Sequence, residues 1–336
     1  MTLFGDPAVW LPITFASLMG FSILIYVVLD GFDLGVGMLV SQVPDLDKDR
    51  MIASIGPFWD ANETWLVLAI GLLLVAFPVA HGTILTALYL PVAIMLISLI
   101  MRGVAFEFRA KVGADHKVLW NRVFVAGSTF TALSQGFMLG MYIMGLEWSF
   151  VNVAFASLIA FCLAAAYVLV GACWLIYKLE GNLQQKAVKW AQTTLVLTAL
   201  GMFTVSLATP LVSPRIFEKW FTFPEIIALA PLPIASALFF GVLFFVLRNM
   251  PFSGDKYSWS PFALTSIIFS FGFAGLAYSF YPYVVPEKLT IYDAAAAPES
   301  LFIILVGAIF VVPVIAGYSV FAYTVFGGKA RALTYD

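Results

Sequence analysis

The sequence predicts an all-α integral membrane protein with nine transmembrane helices, and three observations support this fold class. First, 62% of the residues are hydrophobic and only 11% are charged, whereas a soluble domain averages about 45–50% apolar and about 25% charged residues. Second, apolar runs of the length that crosses a bilayer, about 20 residues, recur along the whole chain. Third, the basic residues concentrate in alternate links between these runs.

Each apolar run is long enough to be one membrane span, and short links with turn-forming residues separate the runs. The first run has no Lys or Arg before it and no small-residue cleavage site after it, so we expect a retained helix, not a signal peptide. No link is long enough to separate soluble domains, so we expect one transmembrane domain over residues 1–336. The predicted spans are residues 9–29, 61–80, 83–104, 122–144, 153–177, 191–212, 226–247, 262–283 and 301–326.

The distribution of the 17 Lys and Arg residues predicts the orientation of the chain. With the N-terminus outside, fourteen of them face inward and only Arg215, Lys219 and Lys288 face outward. Because cytoplasmic loops carry the excess of Lys and Arg, the sequence predicts an outer N-terminus and an inner C-terminus.

Three charged segments interrupt the edges of the first three runs: DGFDLG at 30–35, GPFWDANETW at 56–65 and RGVAFEFR at 102–109. Ionisable groups in membrane segments cost several kcal/mol unless they are paired or hydrated, so they indicate a function. The predicted topology brings all three segments to the inner membrane face. We therefore expect Arg102 to pair there with Asp30 or Asp60.

Two interpretations of Asp60 and Glu63 remain open. Carboxylates at the inner rim can collect protons and pass them to water, which would make them a proton entrance. Alternatively, Asp60 and Asn62 cap the N-terminal end of the second span, where the helix dipole favours negative charge.

Asp30, Asp33, Arg102 and Glu107 indicate structural ion pairing that fixes the first and third spans, with direct proton transfer as the alternative. The glycines nearby allow either close helix approach or a break in the first span. These are Gly31, Gly35 and Gly37.

No compact metal-binding motif occurs in the sequence, and the net charge of -2 gives no reason to expect a nucleic-acid partner. The two histidines, His81 and His116, fall on opposite membrane faces in the predicted topology, so they cannot ligate one haem. Cys162 and Cys173 lie eleven residues apart on one predicted helix. That spacing corresponds to about 16 Å, too far for a disulfide.

The three charged segments resemble subunit II of the cytochrome bd-type quinol oxidases. Residues 30–35, 56–67 and 102–109 carry the resemblance, together with Ala76-Phe-Pro78 and Tyr89-Leu-Pro91 between them. The ANET variant at 61–64, where many members have GNEV, and the short chain are similar to the cyanide-insensitive branch. The resemblance is specific over roughly residues 1–125.

The resemblance implies a heterodimer with a larger, haem-bearing subunit I in the bacterial cytoplasmic (inner) membrane, with the N-terminus periplasmic. The complex would oxidise quinol and reduce dioxygen to water with cytoplasmic protons, building a proton-motive force without pumping. Haem b with haem d, or b-type haems alone, would lie in subunit I, and this chain would bind none. The implied fold is two four-helix bundles plus a peripheral helix. A small single-helix subunit and bound membrane lipids are further partners left open.

For individual residues, the resemblance places Asp60 near a proton route and Trp65 near an oxygen route, with Trp59 and Trp65 close to a haem. Interfacial anchoring is the alternative for both tryptophans. No residue is assigned a catalytic role. The competing function is a secondary transporter coupled to protons, although transporter sites tend to lie near the membrane midplane, whereas these charges are expected at the rim.

Overall fold

The computed structural model describes residues 5–212 and 214–330. Over these residues the chain forms long helices, and nine of them are long and apolar enough to cross a membrane. The predicted all-α membrane fold with nine spans is therefore confirmed. The helices are α1 (Pro7–Leu39), α2 (Asp45–Ala53), α3 (Trp59–Ala76), α4 (Pro78–Lys111), α5 (Ala114–Ile143), α6 (Phe150–Lys178), α7 (Gly181–Val212), α8 (Pro214–Phe221), α9 (Glu225–Leu229), α10 (Pro231–Arg248), α11 (Ser260–Phe280) and α12 (Pro298–Val325).

The first and third spans are longer than the sequence predicted. The predicted first span ends at residue 29, but α1 continues to Leu39. The predicted third span ends at residue 104, but α4 continues to Lys111. Counting apolar residues ends a predicted span close to its charged residues, whereas a helix continues through charged residues when other helices pair with them. Asp30 and Arg102 therefore lie inside their helices, not at the ends.

The turn between the second and third spans also lies earlier than predicted. We expected it at His81-Gly82, but α3 ends at Ala76 and α4 starts at Pro78. Phe77 between them has φ -132° and ψ 60°, outside the helical region. Proline lacks the N–H that would continue a preceding helix and is favoured in the first turn of the next one.

The contacts among the spans form two closed rings of four helices. In one ring, α1 contacts α3 and α5, and α4 contacts both of these as well. In the other, α6 contacts α7 and α11, and α10 contacts both of these. The rings meet where α1 and α5 pack on α6, and α12 packs on α1 and α3 from outside. The implied geometry of two four-helix bundles with a peripheral helix, and the single domain over 1–336, stay predictions.

Glycine allows the two rings to approach closely. A Cβ on Gly35 would overlap the carbonyl oxygen of Tyr167 and lie 3.1 Å from Cα of Gly171, both on α6. The sequence left two alternatives for Gly31, Gly35 and Gly37: close helix approach or a break in the first span. Because α1 is helical throughout this region, close approach applies and the break does not. Small residues permit such backbone contact between membrane helices.

Three short helices and one hairpin between the spans were not predicted. The helix α2 follows the end of α1, and α8 with α9 connect α7 to α10. Between α11 and α12, strands β1 (Tyr283–Val285) and β2 (Leu289–Thr290) form an antiparallel hairpin. Their apolar runs are too short for a span, so a search for spans did not detect them.

The last described residues, after α12, return to the C-terminal end of α6 and to the loop before α11. Lys329 forms an ion pair with Asp255, and the backbone N–H of Ala330 donates to the carbonyl of Lys178 at 2.8 Å. Lys178 in turn donates to the carbonyl of Phe326 at 2.8 Å. The segment after α12 is therefore fixed by hydrogen bonds at the loop before α11 and at the end of α6.

We predict that Gly35→Ala destabilises the purified protein by about 1–3 kcal/mol, because an added methyl group in a tightly packed contact forces the backbones apart. The thermal unfolding midpoint measures the effect. Gly71→Ala is the matched control, since a Cβ at Gly71 in α3 meets no atom within 4 Å, and it should be neutral or slightly stabilising. Equal midpoints for the two variants would contradict the close contact.

We also predict a pH dependence at the returning segment. Burial opposes ionisation of Asp255, but hydrogen bonds from Lys329 and Gln184 outweigh it and lower the pKa of this carboxyl below 3.8. A carboxylate with a lowered pKa stabilises the folded state above its unfolded pKa, and this contribution is lost as the pH falls through the folded pKa.

Asp255→Asn should therefore speed amide hydrogen exchange of residues 326–330 at neutral pH. The expected change is a few-fold, because a partly exposed ion pair contributes below about 1 kcal/mol. Asp45→Asn, which removes an exposed pair with Lys48, is the control. Unchanged exchange in Asp255→Asn would show that the ion pair does not hold the segment.

Candidate functional site: a buried ion cluster between α1, α3 and α4

Three helices bring four charged side chains together in the protein interior. Asp30 and Asp33 are three residues apart on α1 and therefore share one helix face. Glu63 lies about one turn inside the start of α3, and Arg102 lies on α4. The exposed fraction is 0% for Asp30, 0% for Asp33 and 1% for Arg102. These four residues are called the ion cluster below.

Arg102 is the centre of the ion cluster. Its Nη1 lies 2.9 Å from Oδ1 of Asp30 and 2.8 Å from Oε1 of Glu63, and donates a hydrogen bond to each. Its Nη2 lies 3.8 Å from Oδ2 of Asp33. A guanidinium suits this position because its planar, delocalised charge presents several N–H donors at once. One side chain of α4 therefore joins both other helices.

Asn62 extends the cluster to α12. Its Nδ2 donates to Oδ2 of Asp33 at 2.7 Å, and its Oδ1 accepts a hydrogen bond of 2.9 Å from the hydroxyl of Tyr323. Asn62 has no exposed surface. The sequence offered Asn62 only as a cap for α3, and the structure instead shows it bonded to side chains of α1 and α12.

Two tyrosines and a glutamine lie on the other side of Asp30. Tyr26 stands one helical turn before Asp30 on α1, and its hydroxyl accepts a hydrogen bond of 2.6 Å from Nε2 of Gln135. The hydroxyl of Tyr167 donates to Oε1 of Gln135 at 2.7 Å. These contacts carry a chain of polar groups from the ion cluster toward α5 and α6. Sequence analysis missed it because the three residues are far apart along the chain.

Charge and hydrogen bonding are incompletely balanced inside the ion cluster. Three carboxylates face one guanidinium, so full ionisation would leave two excess negative charges. Four buried polar atoms, Oδ2 of Asp30, Oδ1 of Asp33, and Nε and Nη2 of Arg102, have no hydrogen-bond partner among the described residues. Since buried polar atoms are nearly always hydrogen-bonded to protein or water, these atoms have bonding capacity left for water.

The structure separates Asp60 and Glu107 from the cluster. Asp60 is exposed at the start of α3, and Arg102 pairs with Glu63, not with Asp60. Glu107 was predicted to help fix the helices by ion pairing. It instead contacts Lys111 at 3.5 Å, four residues away on the same helix, because it lies on the exposed face of α4. Such a local pair cannot join two spans.

Of the two tryptophans, Trp65 is fully inside the protein. It is 2% exposed, and its indole N–H donates to Oγ of Ser319 on α12 at 3.1 Å. Trp59 is half-buried and packs on Phe106 of α4, with the ring centroids 5.2 Å apart. An interfacial anchor keeps its N–H in the headgroup region, so the anchoring alternative does not fit Trp65.

The two histidines of this chain do not fit a bis-histidine haem site. His81 lies in the first turn of α4, and His116 lies beyond the end of that helix, in the start of α5. At 1.5 Å per residue, about 45 Å of helix separates them, whereas two axial ligands must meet at one iron. Both cysteines are free, and no group of three or more metal-ligating side chains occurs in the described part of the chain.

The fold and the ion cluster define the class of this protein: a multi-pass helical membrane protein with a pre-formed charged centre. The chain matches the family described as "Cytochrome bd terminal oxidase subunit II" over residues 11–326. It therefore belongs to the cytochrome bd terminal oxidase subunit II family.

Relatives of similar length support this assignment. Cytochrome bd ubiquinol oxidase subunit 2 of Bacillus subtilis is 30% identical, over 89% of this chain and 90% of the relative. Cytochrome bd-I ubiquinol oxidase subunit 2 of Escherichia coli K12 is 28% identical, over 91% of each. A chain in the structure of bd oxidase from Geobacillus thermodenitrificans is 17% identical, with a TM-score of 0.73, covering 94% of this chain and 98% of that one. This last match shows the fold.

Family membership makes the chain a subunit of a bacterial bd-type oxidase, an enzyme complex in the membrane. The family name calls this chain subunit II. A subunit II implies a subunit I, so the chain works in a complex with subunit I. The complex is a cytochrome and therefore contains haem.

We predict that Arg102→Leu prevents assembly of the oxidase. Removing one partner of a buried ion pair costs about 3–5 kcal/mol, because the charges left behind are uncompensated. The reduced-minus-oxidised absorption spectrum of solubilised membranes should lose its haem bands. Arg248→Leu is the control, since Arg248 is exposed at the end of α10.

Arg102→Lys separates charge from geometry in the same experiment. A lysine keeps the positive charge but lacks the planar fork that bonds several carboxylates, so we expect an intermediate haem content. A fully assembled, fully active Arg102→Leu complex would show that the ion cluster does not hold the subunit together.

Proposed function

We propose that this chain, together with subunit I, oxidises quinol and reduces dioxygen: two quinols and one O₂ give two quinones and two waters. The protons that form water come from the cytoplasm, and the complex builds a proton-motive force without pumping. Support for quinol as the electron donor comes from the relatives in Bacillus subtilis and Escherichia coli, which are named ubiquinol oxidase subunits.

The haems of the complex belong to subunit I in this proposal, as haem b with haem d or as b-type haems alone. The positions of His81 in the first turn of α4 and of His116 beyond the other end of that helix, in α5, support this division. This subunit then contributes structure and polar groups to the reaction, not redox centres.

The observation that carries the proposed role of the ion cluster is its partial access to the surface. The side chain of Glu63 is 29% exposed, whereas the side chain of Arg102, to which it is bonded, is 1% exposed. The side chain of Asp30, which is also bonded to Arg102, is 0% exposed. One carboxylate thus touches both the surface and the buried group. The carboxylate that would receive a proton from the surface is therefore hydrogen-bonded to Arg102, the centre of the cluster.

The charge count favours proton uptake by the cluster. Leaving two negative charges uncompensated in a buried site is costly, and taking up a proton is the usual way to reduce such a cost. The buried atoms of Asp30 and Asp33 with unused bonding capacity suit a water-mediated transfer. Asp60, exposed one helical turn before Glu63, would collect protons at the entrance.

We propose the orientation that follows from the basic residues, with a periplasmic N-terminus and a cytoplasmic C-terminus in the inner membrane. The helix ends near the ion cluster then face the cytoplasm, where protons are available. We also propose that Trp59 and Trp65 lie near a haem or an oxygen route, which the burial of Trp65 supports. A small single-helix subunit and bound lipids complete the proposed complex.

Family membership favours this function over the transporter alternative. At a rise of 1.5 Å per residue, Asp30 and Arg102 lie about 13 Å before the C-terminal ends of α1 and α4. Both helices are continuous through it, whereas transporters commonly build their sites on interrupted helices.

We predict that Asp60→Asn and Glu63→Gln each lower quinol oxidase turnover by about a hundredfold or more, the lower end of what proton transfer by a side chain contributes. Both substitutions remove an ionisable proton site and keep a hydrogen-bonding oxygen, so the haem spectrum should stay as in the unmodified complex. Oxygen consumption with a soluble quinol measures turnover.

Asp45→Asn is the matched control, because Asp45 is exposed in α2 and pairs only locally with Lys48. Its turnover should be unchanged. If Asp60→Asn and Glu63→Gln retain full turnover with an intact spectrum, the proton route does not pass through these residues. If the spectrum is lost together with turnover, their role is structural.

A further inference from the structure

Three polar side chains adjoin the ion cluster and have no part in the proton route proposed above. Tyr26 on α1, Gln135 on α5 and Tyr167 on α6 are joined by two hydrogen bonds, of 2.6 Å and 2.7 Å. Tyr26 is 3% exposed and Tyr167 is 0% exposed. Buried polar groups that bond to one another in this way are rigidly held. We call these three residues the Tyr–Gln–Tyr chain.

Close packing brings the Tyr–Gln–Tyr chain to Asp30. A Cβ on Gly31 would lie 2.9 Å from Cδ1 and Cε1 of Tyr167, so the ring of Tyr167 lies against the backbone of α1 beside Asp30. Tyr26 is four residues before Asp30 on the same helix, a spacing that makes two side chains neighbours. Both tyrosines interact electrostatically with Asp30. The chain therefore meets the ion cluster at this one carboxylate.

An unfilled acceptor on Asp30 faces an unfilled donor on Tyr26. Oδ1 of Asp30 accepts a hydrogen bond from Arg102, but Oδ2 has no partner within hydrogen-bond distance among the described residues. The hydroxyl of Tyr26 accepts from Nε2 of Gln135, which leaves its own O–H proton for another acceptor. An ionised carboxylate can only accept hydrogen bonds. The O–H of Tyr26 therefore donates toward Asp30, directly or through one water.

The rest of the Tyr–Gln–Tyr chain fits this direction. Because Nε2 of Gln135 donates to Tyr26, its Oε1 remains to accept a hydrogen bond from the hydroxyl of Tyr167. The reverse direction would aim the O–H of Tyr26 at Gln135 and leave Oδ2 of Asp30 without a donor. The chain is not itself a proton route, because a carboxamide is not an ionisable group. What it does is orient one hydroxyl.

The three carboxylates of the ion cluster therefore differ in the donors that they receive. Asp30 has a donor for each oxygen, Arg102 and Tyr26. Asp33 has a donor on Oδ2, but its Oδ1 has no partner among the described residues. Glu63 is bonded to Arg102 through one oxygen, and its side chain is partly exposed. Hydrogen bonds to the charged form of a carboxyl group favour that form, so they favour the charged form of Asp30 most.

We propose that the Tyr–Gln–Tyr chain orients the hydroxyl of Tyr26 toward Asp30 and keeps Asp30 ionised as the permanent partner of Arg102. Glu63 and Asp33 then hold the proton that the ion cluster takes up and releases. Tyr26 is a positioning residue, and the other two members of the chain act through it. This inference rests on the proposed function, because it assigns the proton that the cluster is proposed to transfer.

Infrared spectroscopy of the purified oxidase complex at a series of pH values tests the proposal, because a protonated carboxylic acid has a carbonyl stretching band that a carboxylate lacks. Tyr26→Phe removes only the hydroxyl, which stabilises the ionised form of Asp30. Without it, Asp30 should become protonated at a higher pH. We expect one carboxylic acid band to appear about one to two pH units higher than in the unmodified complex, the size of one hydrogen bond to a charged group. The other ionisable groups that act on Asp30 are unchanged in this variant: Asp33, Glu63, Arg102, Tyr167 and Tyr323.

A double variant distinguishes positioning from packing. Tyr167→Phe should shift the same band in the same direction, by less than Tyr26→Phe does. The two substitutions together should shift it no further than Tyr26→Phe alone, because groups that act through one network are not additive. Tyr142→Phe is the matched control, since its hydroxyl donates to the carbonyl of Val284 in the hairpin, at 2.8 Å. It should leave the infrared titration unchanged.

Three results would overturn the proposal. An unchanged infrared titration in Tyr26→Phe would show that its hydroxyl does not act on Asp30. Additive shifts in the double variant would show that Tyr167 does not act through Tyr26. Loss of the haem bands in both single variants would show that the chain only holds the helices together. If Tyr26→Phe alone fails to assemble, the titration of Tyr167→Phe decides, and an unchanged band there contradicts the proposal.

The infrared titration does not depend on turnover, so it separates this inference from the proposed function. Full turnover of Glu63→Gln together with the expected shift in Tyr26→Phe would contradict the proton route. The same pair of results would still support Asp30 as the permanently ionised partner of Arg102.

Discussion

The compensation of one buried positive charge is the constraint on which the first ring of helices depends. Arg102 is 1% exposed, and its guanidinium stays charged there. Carboxylates must therefore reach it, since an unpaired buried charge costs several kcal/mol. Asp30 and Glu63 supply direct hydrogen bonds from two other helices. The relative position of α1, α3 and α4 is therefore fixed by charge as well as by packing.

The cluster lies on α1, one of two helices, with α5, that couple the two rings by packing on α6. On one face, α1 presents Asp30 and Asp33 to Arg102, and on another it presents Gly35 to the backbone of α6. Both contacts tolerate little displacement, because the first requires short hydrogen bonds and the second leaves no room for a Cβ. Asn62 and Tyr323 extend the same network to α12, so the outer helix is attached by polar contacts and by packing.

The two ends of the molecule present different chemistry. At one end, excess carboxylates converge on a single guanidinium, which suits the uptake and transfer of protons. At the other, a cavity of about 420 Å³ is lined by charged side chains of both signs, Glu147, Arg215, Glu287 and Lys288. Both sites are made from residues of three or more separate elements. Their properties follow from how the helices are packed, since no single segment contains a complete site.

The sequence by itself determined the membrane class, the nine spans and the segments that carry the charges, because hydropathy and charge are local properties of the chain. It also placed Asp30 and Arg102 close enough to pair. Only the tertiary structure decided that Glu63 joins Arg102 while Asp60 and Glu107 do not, because the face of a helix that meets a neighbour depends on rotation and packing. For the same reason, only the fold brought Tyr323 to Asn62 and Gln135 to Tyr26, residues whose separation along the chain gives no local signal.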